Sequence, residues 1–341
     1  MQERRAGERR IKERSTIALG ANGGDAILLQ PEATRPTGGR HARTVTDRPP
    51  RIVALGGGGF SMEPKNPLMD DFVLELSGAE QPRICFLPTA SGDADHYVVR
   101  FYRRFGAGRA DPSHVSLFRR DRSAGAVEGN IEEHLLSQDV IYVGGGSLLS
   151  LLGTWRAHGL DRTLRRAWER GVLLCGLSAG SLCWFSDAVT AFHGPSERVR
   201  GLGMLPHSNC VHYDGEPERR AAFREMVAGG LRPGYGVEDG AALVFEGTEL
   251  QEVVTSRRDA TAYAVRVGED GNAHEHRLTA RYLGADDRAS AAPPAEGLTA
   301  AGSAPAAAPA LALAEDADAG AGGAAGTPLA GDAGVETAVA A

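Results

Sequence analysis

The sequence predicts an α/β fold: one three-layer domain with a mostly parallel sheet and helices on both faces. Three observations carry this. Short apolar runs alternate with helix-period segments from residue 51 to about residue 185. Glycine or proline follows directly where those runs end, as in "RIVALGGGG" (51–59), "RICFLPTAS" (83–91) and "VIYVGGG" (140–146). The two ends of the chain lack such patterning. Residues 1–49 are rich in Arg, Gly, Thr and Pro, and residues 285–341 are dominated by Ala, Gly and Pro. Neither end has enough branched or aromatic side chains to offset chain-ordering entropy. The expected organisation is a disordered basic arm (1–49), a folded domain (50–284) and a disordered tail (285–341).

Element by element, "RIVAL" is a buried strand that ends in a tight glycine loop. "NPLMDDFVLELSG" (66–78) carries helical apolar spacing at Leu68, Phe72, Val73 and Leu76. Ile84 to Leu87 form the next strand, "DHYVVRFYRRFG" (95–106) a helix, and "SHVSLFRR" (113–120) a short strand. "GNIEEHLLSQ" reads as a helix capped by Asn130, with acids in its first turn. From residue 139 the pattern runs strand, glycine loop, helix, turn, second helix. It continues with a strand over 172–177 and a helix over 179–185. Strands alternating with helices imply a parallel sheet covered on both faces, with its loops along one edge. Beyond residue 190 the pattern loosens. "RVRGLGMLPHSNCVHYD", "GYGVEDGAALVFEG", "EVVTS" and "AYAVRV" read as strands and loops closing the same domain, with a helix at 217–228.

Composition excludes several classes. The net charge of −7 and the absence of aromatic interleaving in the basic arm argue against nucleic-acid binding. No run approaches the roughly 18 apolar residues of a membrane span, and no signal-type apolar stretch is present, so the expected location is cytoplasmic with no membrane partner. Four cysteines (Cys85, Cys175, Cys183, Cys210) make no disulfide framework, and none form a CxxC metal pair. The dinucleotide pattern G-x-G-x-x-G fails, because from Gly56 it needs glycine at 61 and finds Ser61. "YVGGGSLL" has no lysine after its glycines and is no P-loop. Both glycine loops do offer backbone N–H groups next to a helix start, a home for an anion or oxyanion.

The densest signal is "GLSAG" (176–180), a G-x-S-x-G pattern between strand and helix. A nucleophile on so sharp a turn needs small neighbours. The turn would lift Ser178 above the sheet and aim the Ala179 N–H at an attacked carbonyl. A serine needs a base. Of the histidines in the domain, His134 and His158 lie on polar-faced helical segments. His193 and His207 fall in the irregular region after the elbow. His212 ends a strand-like run and is preferred over His193. For a carboxylate to hold the imidazole, Asp187, Glu238 and Asp239 are open. Asp214 is less suited, as it is close to His212 in sequence and explained as a helix N-terminal charge.

"IVALGGGGF", "FLPTAS", "YVGGGSLLSLL", "GLSAGSLCWF" and "CVHYD", in this order, resemble the peptidase E family of serine peptidases, which includes cyanophycinases. The resemblance covers about residues 51–265. It implies a fold like that of class I glutamine amidotransferases, which carry Cys where this chain has Ser178. It further implies Ser178 as nucleophile, His212 as base, and the Gly145 and Ala179 N–H groups as oxyanion hole. For the acid it favours Asp239, with Glu238 and Asp187 as alternatives. Peptidase E hydrolyses dipeptides beginning with aspartate. Arg198, Arg200 and Arg219 are candidates for a pocket cation by sequence proximity alone.

The expected function is therefore a serine peptidase acting on small peptides through an acyl-enzyme, with no metal or organic cofactor. Whether it acts as a monomer or a homodimer is open. Two rivals stand: an α/β-hydrolase esterase, which would use a late histidine such as His274 or His276, and a non-catalytic binding protein of the same fold.

Overall fold

The computed structural model describes residues 48–106, 108–119, 123–215 and 217–285. The arm and tail expected from composition lie outside these residues, apart from 48, 49 and 285. In chain order the first elements are β1 (Arg51–Leu55), α1 (Gly59–Met62), α2 (Leu68–Leu76), β2 (Arg83–Leu87), α3 (Asp95–Phe105) and β3 (Asp111–His114). Next come α4 (Ile131–Leu136), β4 (Val140–Val143), α5 (Leu148–His158), α6 (Leu160–Glu169), β5 (Leu173–Leu177) and α7 (Ala179–Leu182). The remainder is β6 (Phe185–Thr190), β7 (Glu197–Arg200), β8 (Leu205–Val211), α8 (Pro217–Ala228), β9 (Gly234–Val237), β10 (Ala241–Glu246), β11 (Glu249–Thr255), β12 (Ala262–Val267), β13 (Ala273–Arg277) and β14 (Ala280–Tyr282).

The expected parallel sheet is one side of an eight-stranded one, ordered β14-β11-β10-β1-β5-β4-β2-β3. Strands β1, β5, β4, β2 and β3 pair in parallel, while β10 runs antiparallel to β1 from Arg51↔Glu246 to Leu55↔Ala242. Alternation along β1 sorts its side chains between the two faces. Val53 and Leu55 pack with residues of α1–α3, whereas Ile52 and Ala54 join residues of α4–α7. Each fully buried aliphatic or aromatic side chain here stabilises the fold by about 1.5–3 kcal/mol. The helix signals act as read: the Asn130 side chain accepts the Glu133 N–H at the start of α4, and Ser147 caps α5 by accepting from Ser150.

The loosened region is a sheet of its own, ordered β13-β12-β9-β8-β6-β7. Residues Val211, Tyr235, Val237 and Ala262 of this sheet share the hydrophobic cluster of α5–α7. Phe223 and Val227 of α8 pack with Val189, Cys210 and Val265 in a separate cluster. Two local expectations change. The elbow helix is one turn, 179–182, because Trp184 and Phe185 are buried as the chain enters β6. The strand expected over 113–120 is 111–114, since the Leu117 and Phe118 N–H groups bond the Asp93 carboxylate at 2.6 and 2.8 Å instead of a neighbouring strand.

Candidate active site

Ser178 caps the end of β5 with φ 53° and ψ −118°, a conformation that costs a non-glycine residue about 1–3 kcal/mol. Its surroundings enforce it. A Cβ on Gly176 would lie 2.1 Å from the Gly180 carbonyl oxygen, and a Cβ on Gly180 would lie 2.3 Å from that of Val143. The two glycines of the motif thus let the elbow fold back onto itself and onto β4. The Ser178 N–H donates to the Leu55 carbonyl at 3.3 Å, which ties the elbow to β1.

His212 directly follows β8 and is also left-handed, with φ 54°. Its Nε2 lies 3.0 Å from Ser178 Oγ and its Nδ1 lies 2.6 Å from Asp239 Oδ1. Asp239 lies between β9 and β10, in a one-residue parallel bridge with Gly57. Its own N–H donates to Asp214 Oδ1 at 2.9 Å. Burial would raise the Asp239 carboxyl. The hydrogen bond and charge of His212, with Arg257 and Arg219 behind it, outweigh that and hold it below the usual carboxylate range. Ser178, His212 and Asp239 thus form one hydrogen-bonded chain that joins the two sheets.

The alternative acids point elsewhere. Asp187 faces Arg198 at 2.7 Å and Arg232 at 3.2 Å, and makes no bond to His212. The Glu238 carboxylate accepts the Thr261 N–H at 2.8 Å, on the opposite side of the chain from its neighbour Asp239. The alternative histidines are also occupied. His193 Nε2 lies 2.8 Å from Ser147 Oγ. His207 packs against Tyr235 and Phe245, and burial lowers its pKa. The late His274 bonds Asp270 at 2.9 Å within its own hairpin. Of the three candidate cations, Arg198 is taken by Asp187 and Arg200 lies on β7 opposite Asp187. Arg219 is buried, donates to the Val211 carbonyl at 3.3 Å and acts on Asp239.

The two N–H groups singled out for an oxyanion differ. Ala179 begins α7, where a helix leaves its first N–H groups without an intrahelical partner. The Gly145 N–H donates to Tyr97 Oη at 3.1 Å, so it is engaged in this state. Sequence reasoning missed Tyr97 and above all Gly57, and it set Asp214 aside as a helix N-terminal charge. A Cβ on Gly57 would sit 2.0 Å from Asp239 Oδ1 and 3.0 Å from His212 Nδ1. The glycine run was visible, but nothing in it says which member touches a pair more than 150 residues away.

All four cysteines are buried, and none is joined in a disulfide. Burial pushes the Cys85 thiol up to about 12 and raises Cys175 and Cys183 well above the ordinary value. Among the described residues no group of three or more His, Cys, Asp or Glu side chains could hold a metal ion. No described helix is long and apolar enough to cross a membrane.

The profile of peptidase family S51 matches residues 52–253. The chain belongs to peptidase family S51. It is therefore a peptidase, and the peptidase E resemblance carried by its motifs holds. A Bacillus subtilis (strain 168) protein described as the uncharacterized peptidase YgaJ is 46% identical over 235 residues, covering 69% of this chain and 99% of its own. The crystal structure of a peptidase from an acI-B1 actinobacterium has a TM-score of 0.53 at 18% identity, covering 68% of this chain and 95% of its own. That likeness concerns the fold.

Proposed function

We propose that this S51 member is a serine peptidase that hydrolyses small peptides, dipeptides foremost, through an acyl-enzyme. The observation that carries this is the unbroken contact from Ser178 Oγ through His212 to Asp239, at 3.0 and 2.6 Å. Ser178 Oγ attacks the scissile carbonyl carbon while its proton passes to His212 Nε2. Asp239 holds the Nδ1 proton, fixes the tautomer and stabilises the imidazolium. The carbonyl oxygen becomes an oxyanion held by the Ala179 N–H and, in exchange for Tyr97, by the Gly145 N–H. One such donor contributes about 3–4 kcal/mol to the transition state. The tetrahedral species collapses, the C–N bond breaks, and His212 returns its proton to the leaving amine. Water then attacks the acyl-serine with His212 again as base, releasing the acid and restoring the hydroxyl.

Four buried cysteines outside any disulfide suit a reducing compartment, and the reading places the enzyme in the cytoplasm. Aspartyl dipeptides head the substrates to test, together with Glu-X and β-aspartyl dipeptides. Ser178→Ala is expected to lower kcat on the order of 10⁶-fold while the protein stays folded. Retained hydrolysis in that variant sinks the scheme. A fluorophosphonate probe, followed by peptide mapping, is expected to label Ser178 in the wild type.

A further inference from the structure

His212 holds a backbone conformation that its own side chain does nothing to secure, because the imidazole is spent on Ser178 and Asp239. A left-handed histidine persists only where its neighbours over-determine it. On the preceding side, the Val211 carbonyl accepts from Arg219 at 3.3 Å. On the following side, the Tyr213 N–H donates to the Val237 carbonyl at 3.1 Å, which returns the chain to β9. The Tyr213 side chain is almost fully buried, and its hydroxyl donates to Glu275 Oε1 on β13. Arg220 of α8 grips the same carboxylate, Nε to Oε2 at 3.0 Å and Nη2 to Oε2 at 2.6 Å. Its guanidinium also lies 5.1 Å from the Tyr213 ring centroid and 4.5 Å from that of Tyr263. The paired guanidinium and the tyrosine hydroxyl together hold Glu275 ionised, against the opposing effect of its burial. Charge, stacking and a buried hydroxyl thus converge on the residue next to the imidazole. They come from α8, β12 and β13, none of which carries a member of the hydrogen-bonded chain.

We propose that Tyr213, Glu275 and Arg220 form a positioning cluster for His212, setting the turn at 212 so that Nε2 faces Ser178 before substrate arrives. The proposal rests on the reading of Ser178 and His212 as nucleophile and base. Its test uses fluorophosphonate labelling, in which Ser178 Oγ forms a bond to phosphorus, fluoride leaves and the serine proton passes to His212. That readout needs no knowledge of the substrate. In Tyr213→Phe the Glu275 carboxylate keeps Arg220, so no bare buried charge results. This variant is expected to label about tenfold more slowly than wild type at a temperature well below its Tm, in line with the sensitivity of such chemistry to small misplacements. Glu275→Gln is expected to move the same way. With a cleaved dipeptide, kcat should fall by the same factor and KM should stay within about twofold. Wild-type labelling rates in both folded variants overturn the proposal. A folded wild type that does not label at Ser178 overturns the nucleophile reading and the cluster with it. If Tyr213→Phe does not fold, Arg220→Lys, which loses the planar two-point grip, carries the test with the same two outcomes.

Discussion

Two left-handed residues face each other across the site, and they are held by opposite means. Ser178, at the end of the interior strand β5 of the eight-stranded sheet, is held by backbone crowding within its own segment and against β4, where Gly176 and Gly180 leave no room for a Cβ. His212, at the end of the interior strand β8 of the six-stranded sheet, is held through its neighbour Tyr213 by side chains as distant in sequence as Glu275. A local constraint leaves a short motif behind. A distributed one leaves single residues at unrelated positions.

The sharpest way to break this comparison is to remove the acid on the histidine side. Asp239→Asn should lower kcat on the order of 10⁴-fold, because the imidazole loses the partner that fixes its tautomer. Asp187→Asn should keep activity within about threefold while lowering Tm by several degrees, because two arginines lose a buried counter-charge. Steady-state kinetics and thermal melts on the two variants decide between the acids, and a reversed ranking would move the triad to Asp187. A middle-sized effect is expected where the two sheets touch. Gly57→Ala forces a methyl into the Asp239 carboxylate and should cost about 10²-fold in kcat, with far less change in Tm. Activity near that of wild type would mean that the pair can shift freely.

The smallest effect lies on the serine side and concerns stability. Asp70 is buried beside α1, accepts the Phe60 N–H at 3.2 Å and pairs with Arg104 at 3.0 Å. Burial outweighs these partners and pushes its carboxyl up to about 6. The folded state therefore binds this proton more tightly than the unfolded chain. The resulting stabilisation is full below about pH 4 and is lost as pH rises through 6. Melts should show the wild-type Tm falling by a few degrees between pH 5 and 7.5 from this source, and Asp70→Asn flattening that slope. An unchanged slope would place Asp70 in its ionised form throughout.

The same contrast explains what the sequence disclosed. Strands β1, β4 and β5 are unbroken apolar runs ending in glycine, because a central parallel strand is buried on both faces. The second sheet hides. Strand β8 carries Ser208 and Asn209 fully buried but polar, β9 is half glycine, and β13 reads "AHEHR". No apolar period survives in any of them. Ser178 was legible from its motif and His212 from its place at the end of a strand-like run. Asp239 needed the family resemblance to stand ahead of Asp187 and Glu238. Gly57 and Tyr97 were beyond reach, and Asp214 was weighed only as a partner for His212, because each acts through contacts that exist only after the loops meet.

The bond from Gly145 to Tyr97 has a consequence for how the proposed reaction selects its moment. The N–H is not idle in the resting enzyme, so an arriving substrate must displace a phenol oxygen to gain it. A ground-state carbonyl is a neutral acceptor of similar strength and gains little by the swap. An oxyanion is a charged acceptor, roughly twice as strong. The second donor would then engage only as charge develops. In the proposed reaction Tyr97 would thus act as a threshold that spares the substrate and favours the transition state.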